Sequence, residues 1–380
     1  MQRSTDRILT THTGSLPRPK ALYDLLVAKE DGQPVDASAF HHATLESVRE
    51  VVAKQIACGV DIVNDGEMSK ISYATYVKDR LTGFDGVGSF PPPADMLDFP
   101  EYAMRARTIS GRLGIKTPAC DGPIAWRNRA AVTEDIDVLR EALTEQKPRE
   151  VFMTAASPGV IALFLDNAYY ASREEYLNVV ADTMRDEYEA IVAAGYILQL
   201  DCPDLASGRH TRFAKAGIDE FLAALRANIA AINRALVNIP ADRVRIHLCW
   251  GNYEGPHHLD VPLRDIIETV FQANVGGISF EGANPRHEHE WSVFKDVRLP
   301  AGSVLIPGVI DSSTNYIEHP ELVAERIVRY AELVGRENVI AGCDCGFATF
   351  AGMQTVEPAI AWAKLASLAE GARIATTRLW

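Results

Sequence analysis

Eight short apolar runs, each closing near Gly, Pro, Asp or Asn, constrain the fold of this chain more than any other feature. They are Ile8 to Thr13, Asp61 to Asp65, Glu150 to Ala155, Tyr196 to Asp201, Val244 to Cys249, Gly277 to Glu281, Val304 to Val309 and Val339 to Cys343. Runs this short and this apolar read as buried strands. Between most of them lie stretches with helical spacing. The clearest is Gly217 to Val237, which puts Ile218, Phe221, Leu222, Leu225, Ile229, Ile232 and Leu236 on one face. Pro262 to Ala273 repeats the pattern. Strand and helix alternating to a count of eight predict an α/β chain whose parallel strands close into a (β/α)8 TIM barrel rather than an open sheet.

The 380 residues are read as one such domain, residues 1–380. The segment 67–149 is too long for a single connection and is taken as an insertion between strands two and three. Its Gly/Pro-rich pieces suggest hairpins and a lid, and a helix is expected near Asp135 to Gln146.

A formal charge of −13 and a pI near 5.3, with no basic block, argue against nucleic acid and anionic membrane surfaces as partners. The amino terminus lacks a signal-like apolar stretch, and no run is long enough to span a bilayer, so a cytoplasmic location is expected. In that compartment the six cysteines, at 58, 120, 202, 249, 343 and 345, are reduced thiols or ligands. The oligomeric state, including a homo-oligomer, stays open.

Four residues that a zinc ion would choose fall at the ends of apolar runs: His247 and Cys249 in IHLCW, Glu281 in ISFEGAN and Cys345 in GCDCGF. A strand repeats its facing every two residues, so His247 and Cys249 aim imidazole and thiolate at one side. Nitrogen and sulfur are zinc's preferred donors. A carboxylate pointing into a barrel needs a positive partner, and a metal would supply one to Glu281. Cys343 and Cys345 share a facing, and either completes the set. Cys345 is favoured because it lies further toward the strand end, beside Gly346. A closed His/Cys/Cys/Cys structural site is the alternative. The histidines of RHEHEW (286 to 291) and His257-His258 are read as solvated or hydrogen-bonding loop residues, Cys58 as core, and Cys120 and Cys202 stay unassigned.

At HTGSLPRP, NDGE, QLDCP, IHLC, SFEGAN, IPGVID and DCGF the chain resembles the cobalamin-independent methionine synthase family, specifically its catalytic barrel. That resemblance implies Zn2+ held by His247, Cys249, Glu281 and Cys345, and alkyl transfer onto a zinc-bound thiol. The partners would be a small-molecule thiol acceptor and an alkyl donor. It also implies that Ser15 lies where the amino-acid carboxylate is held and that Glu67 and Asp201 hold the amino group of homocysteine. Ser313 stands where the family has a histidine acid, which leaves the proton for a folate leaving group without an assigned source; His12, His257, His258 and His287 are candidates. Short single-barrel members include epoxyalkane:coenzyme M transferases, which open an epoxide with a thiolate; NPRHEHEW and VIDSSTNYIEHPELVAERI resemble that subgroup. A sulfonate substrate would want a cation, and Arg18, Arg209, Arg212 and Arg286 are candidates. A barrel decarboxylase and a zinc-stabilised binding barrel are the rival classes.

Overall fold

The computed structural model describes residues 1–109, 116–352 and 355–380. Each of the eight apolar runs forms a strand: β1 (Leu9–Thr10), β2 (Ile62–Val63), β3 (Glu150–Ala156), β4 (Ile197–Asp201), β5 (Val244–Leu248), β6 (Gly277–Phe280), β7 (Val304–Ile310) and β8 (Ile340–Cys343), with β3 and β7 passing the end of their runs by one residue. They pair in parallel in the order β1-β8-β7-β6-β5-β4-β3-β2. The remaining seam, between β1 and β2, is bridged by Asp61 N–H to Thr10 O at 3.2 Å and by the Thr11 hydroxyl to Ile62 O at 3.2 Å. The strands thus form a nearly closed TIM barrel.

Period-two alternation separates the inside of this barrel from its wall. Leu198 and Leu200 of β4, and Val244, Ile246 and Leu248 of β5, face the surrounding helices. The opposite faces point inward. At the amino end of the strands a separate apolar cluster of Leu9, Ile62, Phe152, Ile197, Val304, Ile306 and Ile340 fills the interior, with Met1 packed against it. Each such side chain contributes about 1.5–3 kcal/mol by leaving water. Above this floor sits Arg245, fully buried, with its guanidinium 3.7 Å from the Phe152 ring centroid. It donates to Gln199 Oε1 at 2.8 Å, Thr11 Oγ1 at 3.0 Å and His12 O at 3.0 Å. Polar side chains therefore begin halfway up the barrel, and everything above Arg245 can be chemistry rather than packing.

The expected helices form close to their forecast places, at Ala130–Ala142, Ile218–Ala235 and Leu263–Val270. In the second, Phe221, Leu225, Ile229 and Ile232 are buried, whereas Ile218 in the first turn is exposed. The chain between β2 and β3 carries further helices at Val77–Arg80, Ala94–Leu97 and Pro100–Ile109. Antiparallel bridges join Leu81 to Trp126 and Gly86 to Ala119 in an irregular hairpin. Part of this segment docks on the loop after β5: Tyr253 Oη donates to Asp95 at 2.8 Å, and His258 contacts Asp98 at 2.9 Å.

One glycine ties fold to site. A Cβ on Gly308 of β7 would sit 2.0 Å from Asp344 Oδ1 and 2.7 Å from the Asp344 backbone. Asp344 in turn accepts from the amides of Gly282 and Ala283, both at 2.8 Å, and of Asn284 at 2.9 Å, fixing the loop after β6. We expect Gly308→Ala to cost about 1–3 kcal/mol through forced displacement of β8. A lowered denaturant midpoint checks this; an unchanged midpoint would show that the β7–β8 contact is slack.

Candidate active site

The register of the barrel puts Asp201 beside His247 and His247 beside Ser279, so the mouth is assembled from neighbouring strand ends. One cavity there is lined by Thr13, Ser15, Glu67, Tyr73, Asp201, Pro203, His247, Cys249, Cys345, Gly346 and Thr349. Six of the seven sequence-derived site residues line it; Glu281 does not.

His247, Cys249 and Cys345 each offer a donor atom within 4.8 Å of the other two, and all three are buried. The two Sγ atoms are 3.9 Å apart. His247 Nδ1 lies 3.1 Å from Ser279 Oγ, while Nε2 is buried without a hydrogen-bond partner. A buried lone pair with no partner is costly unless something occupies it. Burial also pushes the His247 pKa down to about 3, so the ring is neutral at physiological pH, the form that binds a metal. The Cys345 thiol is pushed well above its ordinary range by its hydrogen bond to Cys249, by burial and by the nearby Cys249 charge. Two crowded thiols beside an unpartnered imidazole nitrogen suit a soft divalent cation.

Glu281 is not one of these three grouped donors in this structure. Its carboxylate is buried, but Oε1 accepts from Trp250 N–H at 2.8 Å, and Oε2 accepts from Asn284 Nδ2 at 2.7 Å and Arg286 Nη2 at 2.6 Å. The positive partner that its burial demands is Arg286. Cys343 is also outside the cluster: its Sγ accepts from Thr13 N–H at 3.2 Å and donates to Cys345 O at 3.1 Å, and burial pushes its pKa up to about 11.

Facing the sulfurs are two buried acids. Glu67 has a left-handed backbone, φ 58°, unusual for a residue with a side chain. Its N–H reaches Asp65 Oδ1 at 3.0 Å, and its carbonyl accepts from Arg18 Nη2 at 2.9 Å, which hold that conformation. Its Oε1 accepts from Thr154 Oγ1 at 3.0 Å, and its Oε2 is buried without a partner. Asp201 Oδ1 accepts from Gln199 Nε2 at 2.8 Å, and Gln199 is itself oriented by Arg245. Burial raises both pKa values, Asp201 well above its ordinary range with further help from the Glu67 charge, while Lys70 and Arg18 oppose the rise at Glu67. Among the described residues no Lys or Arg lines the cavity.

The proposed stand-ins for the missing histidine acid are committed elsewhere. His12 is buried with Nε2 2.7 Å from Gln55 Oε1, and burial pushes its pKa down to about 3. His257 Nδ1 faces Asp260 at 3.0 Å and its Nε2 faces Tyr253 O at 3.1 Å. His287 is a buried hydrogen-bonding residue rather than a solvated one: it lies 3.0 Å from Asp260 and 2.8 Å from Glu290, stacks on Trp250 at 3.9 Å, and has its pKa raised to about 9. Its two carboxylate partners outweigh burial. His258 is exposed on Asp98, and Ser313 donates to Asp311 Oδ1 at 2.8 Å. The arginines offered for a sulfonate are equally engaged: Arg18 donates to the carbonyls of Ala348, Glu67 and Lys70, Arg209 to Phe213 O, Arg212 to Leu163 O, and Arg286 to Glu281.

Sequence reasoning missed Tyr73, Arg245 and Asp344. Tyr73 comes from the long β2–β3 connection, its ring set 5.5 Å from Phe350 and 6.0 Å from Phe164. No pattern in the sequence marks it. Arg245 was accessible, since it shares a facing with His247 and Cys249 in VRIHLC.

A parallel barrel with an imidazole, two thiols and two acids at the carboxyl ends of its strands defines an α/β-barrel enzyme acting on a small molecule. The chain belongs to the cobalamin-independent methionine synthase family: the family described as "Cobalamin-independent synthase, Catalytic domain" matches residues 125–367, well over half of the sequence. Methionine synthase of Sulfolobus acidocaldarius is 23% identical over 371 residues, covering 97% of this chain and 93% of that protein. The 2-hydroxypropyl-CoM lyase of Xanthobacter autotrophicus is 25% identical over 407 residues, covering 98% and 96%. A B12-independent methionine synthase from Shewanella sp. W3-18-1, solved with selenomethionine, shares the fold with a TM-score of 0.75 at 20% identity, covering 98% of this chain and 99% of that one. Among the described residues no helix is long and apolar enough to cross a membrane.

Proposed function

We propose that this enzyme is a zinc-dependent methyltransferase that alkylates the sulfur of an amino-acid thiol, with homocysteine as the acceptor. The observation that carries the reading is the juxtaposition in one cavity of the His247/Cys249/Cys345 donors with Glu67 and Asp201, and with no lining cation among the described residues. An α-ammonium group would give the unpartnered Glu67 oxygen a donor and offset the burial and the Glu67 charge that raise Asp201. Ser15, buried on the same wall, is the candidate contact for the α-carboxylate.

When bound, zinc ionises a coordinating thiol near neutral pH while leaving it nucleophilic. The residues of this chain do the rest. His247, Cys249 and Cys345 hold the metal; Glu67 and Asp201 fix the amino end, so that the acceptor sulfur is presented from one direction. Methyl transfer would form the S–C bond as the bond from carbon to the donor breaks, the donor leaving with that electron pair and taking up a proton from solvent to balance the one the acceptor thiol released.

A sulfonate-bearing thiol such as coenzyme M would face two carboxylates and, among the described residues lining the cavity, no arginine, which disfavours it here. A substrate panel tests the reading. Homocysteine with a methyl donor, methylfolate first, is expected to yield methionine, whereas coenzyme M with an epoxide is expected to yield no thioether. Product only from the second pair would overturn the acceptor assignment.

A further inference from the structure

Beyond Cys249 lies a second buried polar group that the chemistry above does not use. Asp260, in the loop after β5, gathers three imidazoles: His210 from the loop after β4, His257 from its own loop and His287 from the loop after β6, each at 3.0 Å. All three rings are buried. His257 takes a left-handed backbone, φ 52°, and Asp95 holds it there by accepting its N–H at 2.8 Å. Such a conformation costs of order 1–3 kcal/mol and persists only where the surroundings over-determine it. His287 is gripped from its other nitrogen by Glu290, 2.8 Å from Nδ1, and Glu290 itself accepts the Leu263 N–H at 2.6 Å. A carboxylate faces each ring nitrogen of His287, and both are satisfied only when both nitrogens donate, which makes the ring an imidazolium.

This ring lies on Trp250, with centroids 3.9 Å apart and planes 24° from parallel. Trp250 is the residue after Cys249. It is fully buried, its ring N–H donates to Val261 O at 2.6 Å and its amide to Glu281 Oε1 at 2.8 Å. We propose that His287 is a positioning residue: held as imidazolium between Asp260 and Glu290, it clamps the Trp250 indole by a cation–π stack and so fixes the chain where Cys249 leaves β5. What the clamp does for the metal rests on the zinc reading above; the stack itself does not. Of the other groups around the ring, Glu281 at the end of β6 also favours its charge. Arg286 is paired with Glu281 and also attracted by Asp260, His210 and His257 share Asp260, and Tyr330 faces Glu290. Loss of the His287 proton at high pH therefore takes a donor from one of two buried carboxylates and the cation from the stack.

The test reads tryptophan emission of the purified enzyme against pH, because an imidazolium in contact with indole quenches it more than a neutral imidazole does. The wild type is expected to brighten with a midpoint near 9, above the ordinary 6.5, because the two carboxylates outweigh burial at His287. His287→Gln and Trp250→Phe should both lack that step. Wild-type emission that stays flat between about pH 7 and 10, or a step that survives in either variant, would overturn the proposal. Should His287→Gln fail to fold, the wild-type step and its absence from Trp250→Phe decide. Chelator competition then reads how far the clamp reaches. His287→Gln is expected to lose zinc affinity by about tenfold or more, the scale of losing a group that orients a ligand. An affinity unchanged by that substitution would overturn the positioning role. A wild type that binds no zinc would sink the zinc reading and leave the fluorescence step to decide the clamp.

Discussion

Cys345→Ser is expected to lose zinc and methyl transfer together, with turnover down by about a thousandfold or more, equivalent to about 4 kcal/mol of transition-state stabilisation. The reason is geometric. Cys345 lies 3.9 Å from Cys249, sulfur to sulfur, in the cluster completed by the unpartnered Nε2 of His247. Removing one sulfur leaves two donors that cannot hold a metal against water, and the acceptor thiol then keeps its proton. Metal analysis of the purified variant beside a turnover assay checks both halves. Serine at position 345 with full zinc and full turnover would contradict the assignment of that ligand. Cys343→Ser makes the contrast, because its sulfur is engaged by Thr13 and lies outside the cluster.

The second large effect concerns Asp201. Asp201→Asn preserves size but removes the charge that would meet the acceptor's ammonium. A hydrogen bond to a charged group is worth about 1.5–3 kcal/mol, so kcat/KM for homocysteine should fall by about 10–200-fold. An acceptor of the same length without the amino group should be equally poor with both enzymes, which separates lost recognition from general damage. The pH dependence carries the same sign. Burial raises the pKa values of Asp201 and Glu67 above their ordinary 3.8 and 4.5, so protonation begins at higher pH than for solvated acids. The acid limb of kcat/KM should accordingly lie above pH 4.5, with activity falling as pH drops through it. An acid limb at or below ordinary carboxylate values would mean that these groups do not bind the acceptor.

How much of this was legible in the sequence depends on the range of the interactions involved. The strands were, because each is a run of residues that must be buried whatever lies elsewhere; β4 and β5 match their runs within one residue. Ligand pairs on one strand were legible too, since His247 and Cys249 share a facing by alternation alone. Asp344 obeys the same logic as Glu281, an acid at a strand end that needs partners, and its donors are the amides after β6. What the sequence could not supply is which cation meets which carboxylate. Arg286, five residues on from Glu281, reaches back to it across a turn shaped by Asn284, a pairing that strand patterning does not reveal. Likewise Tyr73 joins the cavity only because the β2–β3 connection folds over the mouth, a placement set by contacts far apart in the chain. At His287 the hydrogen-bonding reading holds, through Glu290 and Asp260, while its packing on Trp250 comes from a partner 37 residues away in the chain that the charged run RHEHEW does not signal.

The claim at the centre of this account is that a metal held by His247, Cys249 and Cys345 receives the acceptor's sulfur. Zinc X-ray absorption on the wild-type enzyme, recorded before and after adding homocysteine, tests it most directly. The account predicts one zinc per chain and a shell that gains a third sulfur neighbour at about 2.3 Å when the thiol is added. An enzyme that turns over without zinc, or a shell unchanged by the thiol, would contradict it.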